Sequence, residues 1–448
     1  MSPQPNDEQS QVIQWIESTL GARVVACERQ ARWRPAWFLV AERGPERLAL
    51  YFRGDRGLQQ GGQYALEHEY RILELLGQAG IPVPTLYGFC DSPRGILMEQ
   101  VPGRANLATA TDEDERASVQ DHYMQILADI HALDTEPFES AGLVRPTSKS
   151  QMALADFPIW ERGYAQAKAR PDALLAFVSQ WLHRNVPETD AAPSFVCADS
   201  GQFLFDQGRV TAVIDLELAH LGDPAADLAG LRTRDLSEPL GDLRRATQRY
   251  SELRGITLDP RLIDYHTVRF SIVTPLAIAP ILNRPPPETD WVQYLCWYWV
   301  YARAALEVMA HMTRMTLDPP KPIEATLSPY SAGYKVLSRS LSQDQEVDDF
   351  DRYRVERDAR LAEYLRRVDL RAPELAAADQ SELAALTGQT AADWLAAEAN
   401  LETFVANSGP ERDAELIRFF HRRTARHDEL LSPVMRELQN TQIQMLDA

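Results

Sequence analysis

Two aspartates in one short stretch of this chain could share a chemical task. In Phe195–Gly230, FVCADSGQFLFDQGRVTAVIDLELAHLGDPAADLAG, Asp199 follows the apolar run Phe195–Ala198 and Asp215 follows Val210–Ile214. Asp206-Gln207-Gly208 supplies a turn between them. The pattern predicts a hairpin that delivers both carboxylates to the same end. One can then act as a base and the other as a metal ligand, the pair that phosphoryl transfer from Mg-ATP requires.

The stretch resembles the aminoglycoside phosphotransferase and choline kinase-like phosphotransferase family, relatives of the protein kinases with the same two-lobed fold. The family pattern reads H-G-D-x-x-x-x-N-L-L, a short hairpin, then V-I-D-W-E-x-A-x-x-G-D-P-x-x-D-L-A. Val213-Ile214-Asp215-Leu216-Glu217, Ala219, Gly222-Asp223-Pro224 and Asp227-Leu228-Ala229 follow its second half. The first half departs from it. Cys197-Ala198-Asp199 stands where His-Gly-Asp is expected, and Gln202 where the asparagine is expected. The intervening loop is about two residues shorter than in the family.

The resemblance implies a role for each position. Asp199 would accept the proton of a substrate hydroxyl or orient it for in-line attack. Asp215, in the place of the kinase D-F-G aspartate, would bind Mg²⁺. Gln202 would lend its amide oxygen to a second metal in place of asparagine, or else face solvent. Arg53, at the end of Leu48-Ala49-Leu50-Tyr51-Phe52, would replace the lysine that grips the ATP phosphates, with Glu69 as its acidic partner and Glu67 as the competitor. Met98-Glu99-Gln100-Val101 would form the hinge that binds adenine through backbone groups. Asp223 would cap the helix begun by Pro224, Asp227 and His131 would brace loops, and Cys197 would fill space as a small apolar residue rather than act as a thiol.

The elements that must position these residues can be read from pattern. Gln9–Leu20 has helical spacing. Strand-like runs follow at Val24–Arg29, Ala36–Glu42 and Arg47–Arg53, then an amphipathic helix at Gln63–Gly80 and strands at Thr85–Cys90 and Gly95–Val101. Between the first two strands, Arg29–Trp37 contains no glycine. A glycine loop lets backbone N–H groups approach phosphates closely. Arg32 and Arg34 could replace such contacts by charge, form a lid, or lie in a solvated turn above Trp33 and Trp37. Beyond Pro102–Asn106 the pattern is mostly helical, beginning with Asp114–Ala132. The aromatic stripe Trp291, Trp297, Tyr298, Trp299 and Tyr301 fits a core between helices or a pocket wall. After the break Asp318–Pro322, apolar residues recur at helical spacing in Arg352–Val368, Ser381–Phe404 and Ala414–Leu438.

Bulk properties narrow the class. The 448 residues, 45% hydrophobic and 25% charged, describe a globular protein with more than one domain. A net charge of −19 argues against a nucleic-acid partner and an anionic membrane surface. Cys27, Cys90, Cys197 and Cys296 are scattered without a C-x-x-C pair, and the polar start MSPQPNDEQSQ has no signal-peptide core, so a cytoplasmic location is expected. The apolar stretch Phe270–Leu282 is too short to span a bilayer.

The expected fold is therefore α+β and protein-kinase-like: a small antiparallel β lobe (1–102), a larger mainly helical lobe (103–327) and a C-terminal all-α extension (328–448). The expected activity is transfer of the ATP γ-phosphate, with Mg²⁺, to a hydroxyl of a small molecule. The alternative is a pseudokinase-like nucleotide-binding or scaffold protein. The C-terminal helices could pack on the large lobe, form a dimer interface or dock a partner protein.

Overall fold

Alternation of side chains along strands builds the first layer. The chain begins with α1 (Pro5–Leu20), β1 (Arg23–Arg29), β2 (Ala36–Arg43), β3 (Glu46–Gly54), α2 (Leu66–Gln78), β4 (Leu86–Asp91) and β5 (Arg94–Glu99). The computed structural model describes residues 5–32, 34–55, 64–287, 289–318, 324–326, 328–343 and 349–446. Among these, the strands form an antiparallel sheet in the order β1-β2-β3-β5-β4. Successive side chains of a strand face opposite sides. Leu97 of β5 thus joins Leu50 and Phe52 beneath Val12 and Ile16 of α1. Its neighbours Ile96 and Met98 cluster with Leu73 and Leu76 of α2. The helix expected from Gln63 is described from Leu66, and Gln63 and Trp33 lie outside the described residues.

The second lobe opens with α3 (Glu113–Ile130). Asp112 caps it by accepting the Glu115 N–H at 2.8 Å, and Glu115 accepts the Thr111 N–H at 2.7 Å. There follow α4 (Glu136–Ser140), α5 (Lys149–Leu154), α6 (Phe157–Ala167) and α7 (Ala173–Arg184). Next come β6 (Ser194–Val196), β7 (Phe203–Asp206), β8 (Arg209–Val213) and β9 (His220–Gly222), then α8 (Ala225–Arg234), α9 (Leu243–Arg254), α10 (Pro260–Asn283) and α11 (Trp291–Met312). The stretch Phe270–Leu282 lies within α10, and no helix among the described residues is long and apolar enough to cross a membrane.

The remaining helices are α12 (Ser331–Gln343), α13 (Asp349–Thr387), α14 (Trp394–Ala406) and α15 (Asp413–Leu431). The helically spaced segment Arg352–Val368 and the start of Ser381–Phe404 lie in one helix, α13, which has Pro373 inside it. A proline removes one helical hydrogen bond, and the buried anchors Tyr364, Leu375, Leu383 and Leu386 hold the helix on either side. Those anchors, with Leu401, Val405, Ile417 and Phe420, belong to the same apolar cluster as Phe177 of α7 and Val300 and Val308 of α11. Phe177 and Phe420 stack with ring centroids 5.5 Å apart. Each such buried side chain contributes roughly 1.5–3 kcal/mol. The C-terminal helices therefore pack on the helical lobe.

Candidate active site

Short strands and one helix fix the Asp199 loop. β6 pairs antiparallel with β9, with Phe195 opposite Leu221, a pairing too short to show any periodicity in the sequence. β7 and β8 form the hairpin, with Gln207 and Gly208 in its turn at φ of 48° and 74°. The Asp227 carboxylate on α8 accepts the Cys197 N–H at 2.9 Å and the Ala198 N–H at 2.8 Å. His131 Nε2 lies 3.0 Å from the same carboxylate. Ser200 donates to the Asp227 carbonyl at 2.6 Å, and the Gly201 N–H donates to the Tyr123 hydroxyl at 2.7 Å. Backbone donors converging on a carboxylate make strong, charge-assisted bonds. Gly230 allows this approach, since a Cβ there would sit 1.9 Å from the Ala198 oxygen.

The Asp199 side chain is half-buried and held by Arg234, a residue that sequence reading missed. Arg234 Nε donates to Oδ1 at 3.1 Å and Nη2 donates to Oδ2. Gln202 Nε2 donates to Oδ2 at 2.9 Å. Burial raises the Asp199 carboxyl above its ordinary range, with Arg234 opposing and Asp215 and Glu217 adding to the rise. Arg234 lies two helical turns after Asp227 on α8. That i, i+7 relation to the G-D-P-x-x-D segment was the available signal.

Asp215 leaves β8 with φ at 59°, in the left-handed region uncommon for a residue with a side chain. The Ile214 N–H donates to the Gln202 carbonyl at 3.1 Å, so the Asp199 loop and Asp215 are joined through backbone. Arg53 connects the lobes. Its Nε donates to Glu69 at 2.8 Å, and its Nη2 donates to Asp215 and, at 3.1 Å, to Glu217. Burial works to lower the Arg53 pKa, but the three carboxylates outweigh it and raise it well above the ordinary value. Burial pushes Glu69 up despite Arg53. Glu67 lies elsewhere, hydrogen-bonded to Arg94.

Arg34 is fully buried and donates to Glu217 at 2.6 Å. Arg32 lines the cleft. The Cys197 thiol is buried, and burial followed by Asp227 drives it far above the usual thiol range, which disfavours nucleophilic use. Asp223 accepts the Ala225 N–H at 2.9 Å at the start of α8.

Arg53, Glu69, Asp199, Gln202, Asp215, Glu217 and Arg234 all line one cavity of about 890 Å³. Met98, Glu99, Gln100 and Val101 lie along it as well. The Glu99 and Gln100 N–H groups donate to Thr85 and Ala49 carbonyls at 2.8 and 3.0 Å. Elsewhere the cavity is walled by Trp160, Tyr294, Trp297, Tyr301 and Glu437, so part of the aromatic stripe forms pocket wall. Trp299 instead stacks on His427, with centroids 3.7 Å apart.

An antiparallel sheet lobe and a helical lobe, with two aspartates and a cross-lobe arginine on a shared cleft, define a kinase-like fold. Residues 58–265, somewhat under half of the chain, match the model of the phosphotransferase enzyme family (APH). A solved structure of a protein assigned as an aminoglycoside phosphotransferase, from Ralstonia eutropha JMP134, superposes with a TM-score of 0.51 at 17% identity, over 68% of this chain and 98% of that one. This likeness bears on fold alone. Among curated proteins, acyl-CoA dehydrogenase family member 10 of Mus musculus is 28% identical over 177 residues, 37% of this chain and 16% of its own length. Acyl-CoA dehydrogenase family member 11 of Rattus norvegicus is 28% identical over 183 residues, 38% of this chain and 23% of its own. The chain thus matches less than a quarter of the length of these relatives. The family match supports a kinase-like phosphotransferase.

Proposed function

We propose that this protein transfers the γ-phosphate of ATP to a hydroxyl group of a small molecule. The observation that carries this reading is the convergence of Asp199, Asp215 and Arg53 on one cavity. A volume of about 890 Å³ suits a nucleotide with a small acceptor beside it. In this reading Asp199 orients the acceptor hydroxyl and takes its proton, with its carboxylate set by Arg234. Arg53, braced by Glu69, holds the ATP phosphates, and the segment Met98–Val101 lies against adenine. Asp215 and Gln202 would hold Mg²⁺. The donor set fits that ion in kind, because a carboxylate and an amide are hard oxygen donors and magnesium keeps several waters. Among the described residues, no group of three His, Cys, Asp or Glu is arranged for a metal. When bound, the ion would neutralise charge on the transferring phosphate. Catalysis would otherwise come from positioning and electrostatics. We also propose the division 1–102, 103–327 and 328–448, with the third part serving the second.

One observation favours a second reading, a nucleotide-binding scaffold without turnover. Asp199 already engages both carboxylate oxygens with Arg234 and Gln202. Calorimetry with ATP and GTP, with and without Mg²⁺, on wild type and Asp215→Asn tests the mechanism. Mg-dependent ATP binding weakened by the substitution is expected. Absence of nucleotide binding in every condition would overturn it. ADP release in an acceptor screen then separates enzyme from scaffold.

A further inference from the structure

The C-terminal tail beyond α15 lies outside the segment that matches the phosphotransferase family, yet it reaches the corner that carries Arg234. Gln444 Nε2 donates to Asp235 Oδ2 and to the Gly241 carbonyl, both at 2.8 Å. Its Oε1 accepts the Leu243 N–H at 3.4 Å, and its backbone carbonyl accepts from Arg232 Nε. Arg232 is fully buried and also reaches Met445 Sδ at 2.9 Å and Asp264 at 2.6 Å. The Met445 carbonyl accepts from Arg244 Nε at 3.1 Å. The tail thus fastens the residues on both sides of Arg234.

This corner packs directly on the Asp199 loop. A Cβ added to Gly201 would meet Leu240 at 2.8 Å, Leu231 at 3.0 Å and Arg234 Cγ at 3.4 Å. Asp235 Oδ1 meanwhile accepts the Leu240 N–H at 2.7 Å, so Gln444 and Leu240 share one carboxylate. Gln120 of α3 holds the corner as well, through the Leu240 and Asp242 carbonyls at 2.9 and 3.0 Å. Gln444 alone ties Asp235 to Gly241 through a single amide nitrogen among the described contacts. A shift of the corner would carry Arg234, and with it the Asp199 carboxylate, away from the acceptor position. Displacements of about 1 Å in a reacting group cost up to about a hundredfold in rate.

We propose that the tail Thr441–Met445 is a working part of the phosphotransfer site, with Gln444 as a positioning residue that sets Asp199 through the α8 corner and Arg234. This rests on the phosphotransferase reading above. The test measures ADP release from Mg-ATP, with water as acceptor, alongside thermal midpoint and Mg-ATP affinity. Gln444→Ala is expected to lower kcat about ten- to a hundredfold, with KM for ATP changed less than about twofold. Gln439→Ala, on the same tail but with its side chain donating to Ser432 rather than to the α8 corner, is expected to match wild type. Gln444→Glu keeps the side-chain volume but sets a carboxylate against Asp235, and is expected to lose kcat likewise. Adding Asp235→Asn restores one donor to the new carboxylate, while the Gly241 carbonyl still faces it, and is expected to recover part of the turnover. This swap carries the test even if Gln444→Ala does not fold. Wild-type kcat in Gln444→Ala or Gln444→Glu, or failure of Asp235→Asn to rescue, overturns the proposal. A loss of ATP affinity equal to the loss of kcat overturns it as well. If wild type binds no Mg-ATP, or binds it but releases no ADP with water or with any acceptor of the screen, the phosphotransferase reading fails and this proposal with it, and that result is visible before any variant is compared.

Discussion

Arg234 and Asp199 face each other as a two-pronged pair, Nε to Oδ1 at 3.1 Å and Nη2 to Oδ2. The arginine comes from the helix whose Asp227 also anchors the backbone leading to Asp199. One helix therefore sets both the path of the loop and the direction of its carboxylate.

This arrangement separates binding from turnover. Asp199→Asn keeps the shape of the side chain and is expected to leave Mg-ATP affinity near wild type while lowering kcat about 10²–10⁴-fold. Asp215→Asn should weaken Mg-ATP binding itself. Calorimetry and steady-state ADP release on both variants check the contrast. Equal loss of affinity in the two would contradict it.

Arg53 should matter twice. Arg53→Ala leaves Glu69 buried without its partner, which costs about 3–5 kcal/mol of stability. The double variant Arg53→Met/Glu69→Leu replaces the pair with apolar volume and is expected to regain most of that stability without regaining ATP affinity. Urea unfolding and nucleotide titration on the three proteins separate the two effects.

Gly230→Ala tests the helix-to-loop approach. Its new Cβ would stand 1.9 Å from the Ala198 oxygen, a backbone atom that cannot swing aside. A loss of about 1–3 kcal/mol is expected, together with lowered kcat as the Asp199 loop shifts. Unchanged stability and rate would show that the loop tolerates a different path.

Asp172 provides a pH signature remote from the cleft. Burial, aided by Glu398, pushes its carboxyl up to about 6. A carboxyl raised on folding favours the folded state while protonated. That contribution is full below the unfolded value near 3.8 and is lost as pH rises through about 6. Asp172→Asn keeps an oxygen that accepts the Leu175 N–H, and its amide nitrogen would donate to the Tyr298 hydroxyl oxygen in place of accepting from it. The variant should therefore be more stable than wild type by about 3 kcal/mol at pH 8 and nearly equal at pH 4. Thermal melts across that range provide the check, and an advantage that grows toward low pH would reverse the sign.

The sheet lobe was legible because turn residues punctuate short apolar runs such as Ala36–Ala41 and Leu48–Phe52. The meeting of Arg53 with Glu69 was legible from order along the chain, and Glu67 was separable by helical face. Arg234 had a signal only in its i, i+7 spacing from Asp227, and Gln444 had none, because it sits in no local pattern that predicts its partner. Asp199 lies one helix away from Arg234, and Asp235 lies on the far side of the helical lobe in sequence from Gln444. The length of α13 was not legible, because it passes through Pro373, whose missing hydrogen bond is offset by tertiary packing on both sides. Arg34 could be read as a phosphate contact or a solvated turn, whereas its guanidinium lies buried against Glu217.

The cluster that joins α7, α10 and α11 to α13–α15 also bears on how the chain comes off the ribosome. Phe177, Val300 and Val308 emerge long before Phe420, yet they share its cluster. At typical translation speeds, the stretch from Met312 to Leu431 takes on the order of ten seconds to appear. During that interval the half-built lobe presents a sticky face to its surroundings. The nascent protein should therefore lean on chaperones, and premature stop codons late in the message should yield aggregates instead of shortened folded chains.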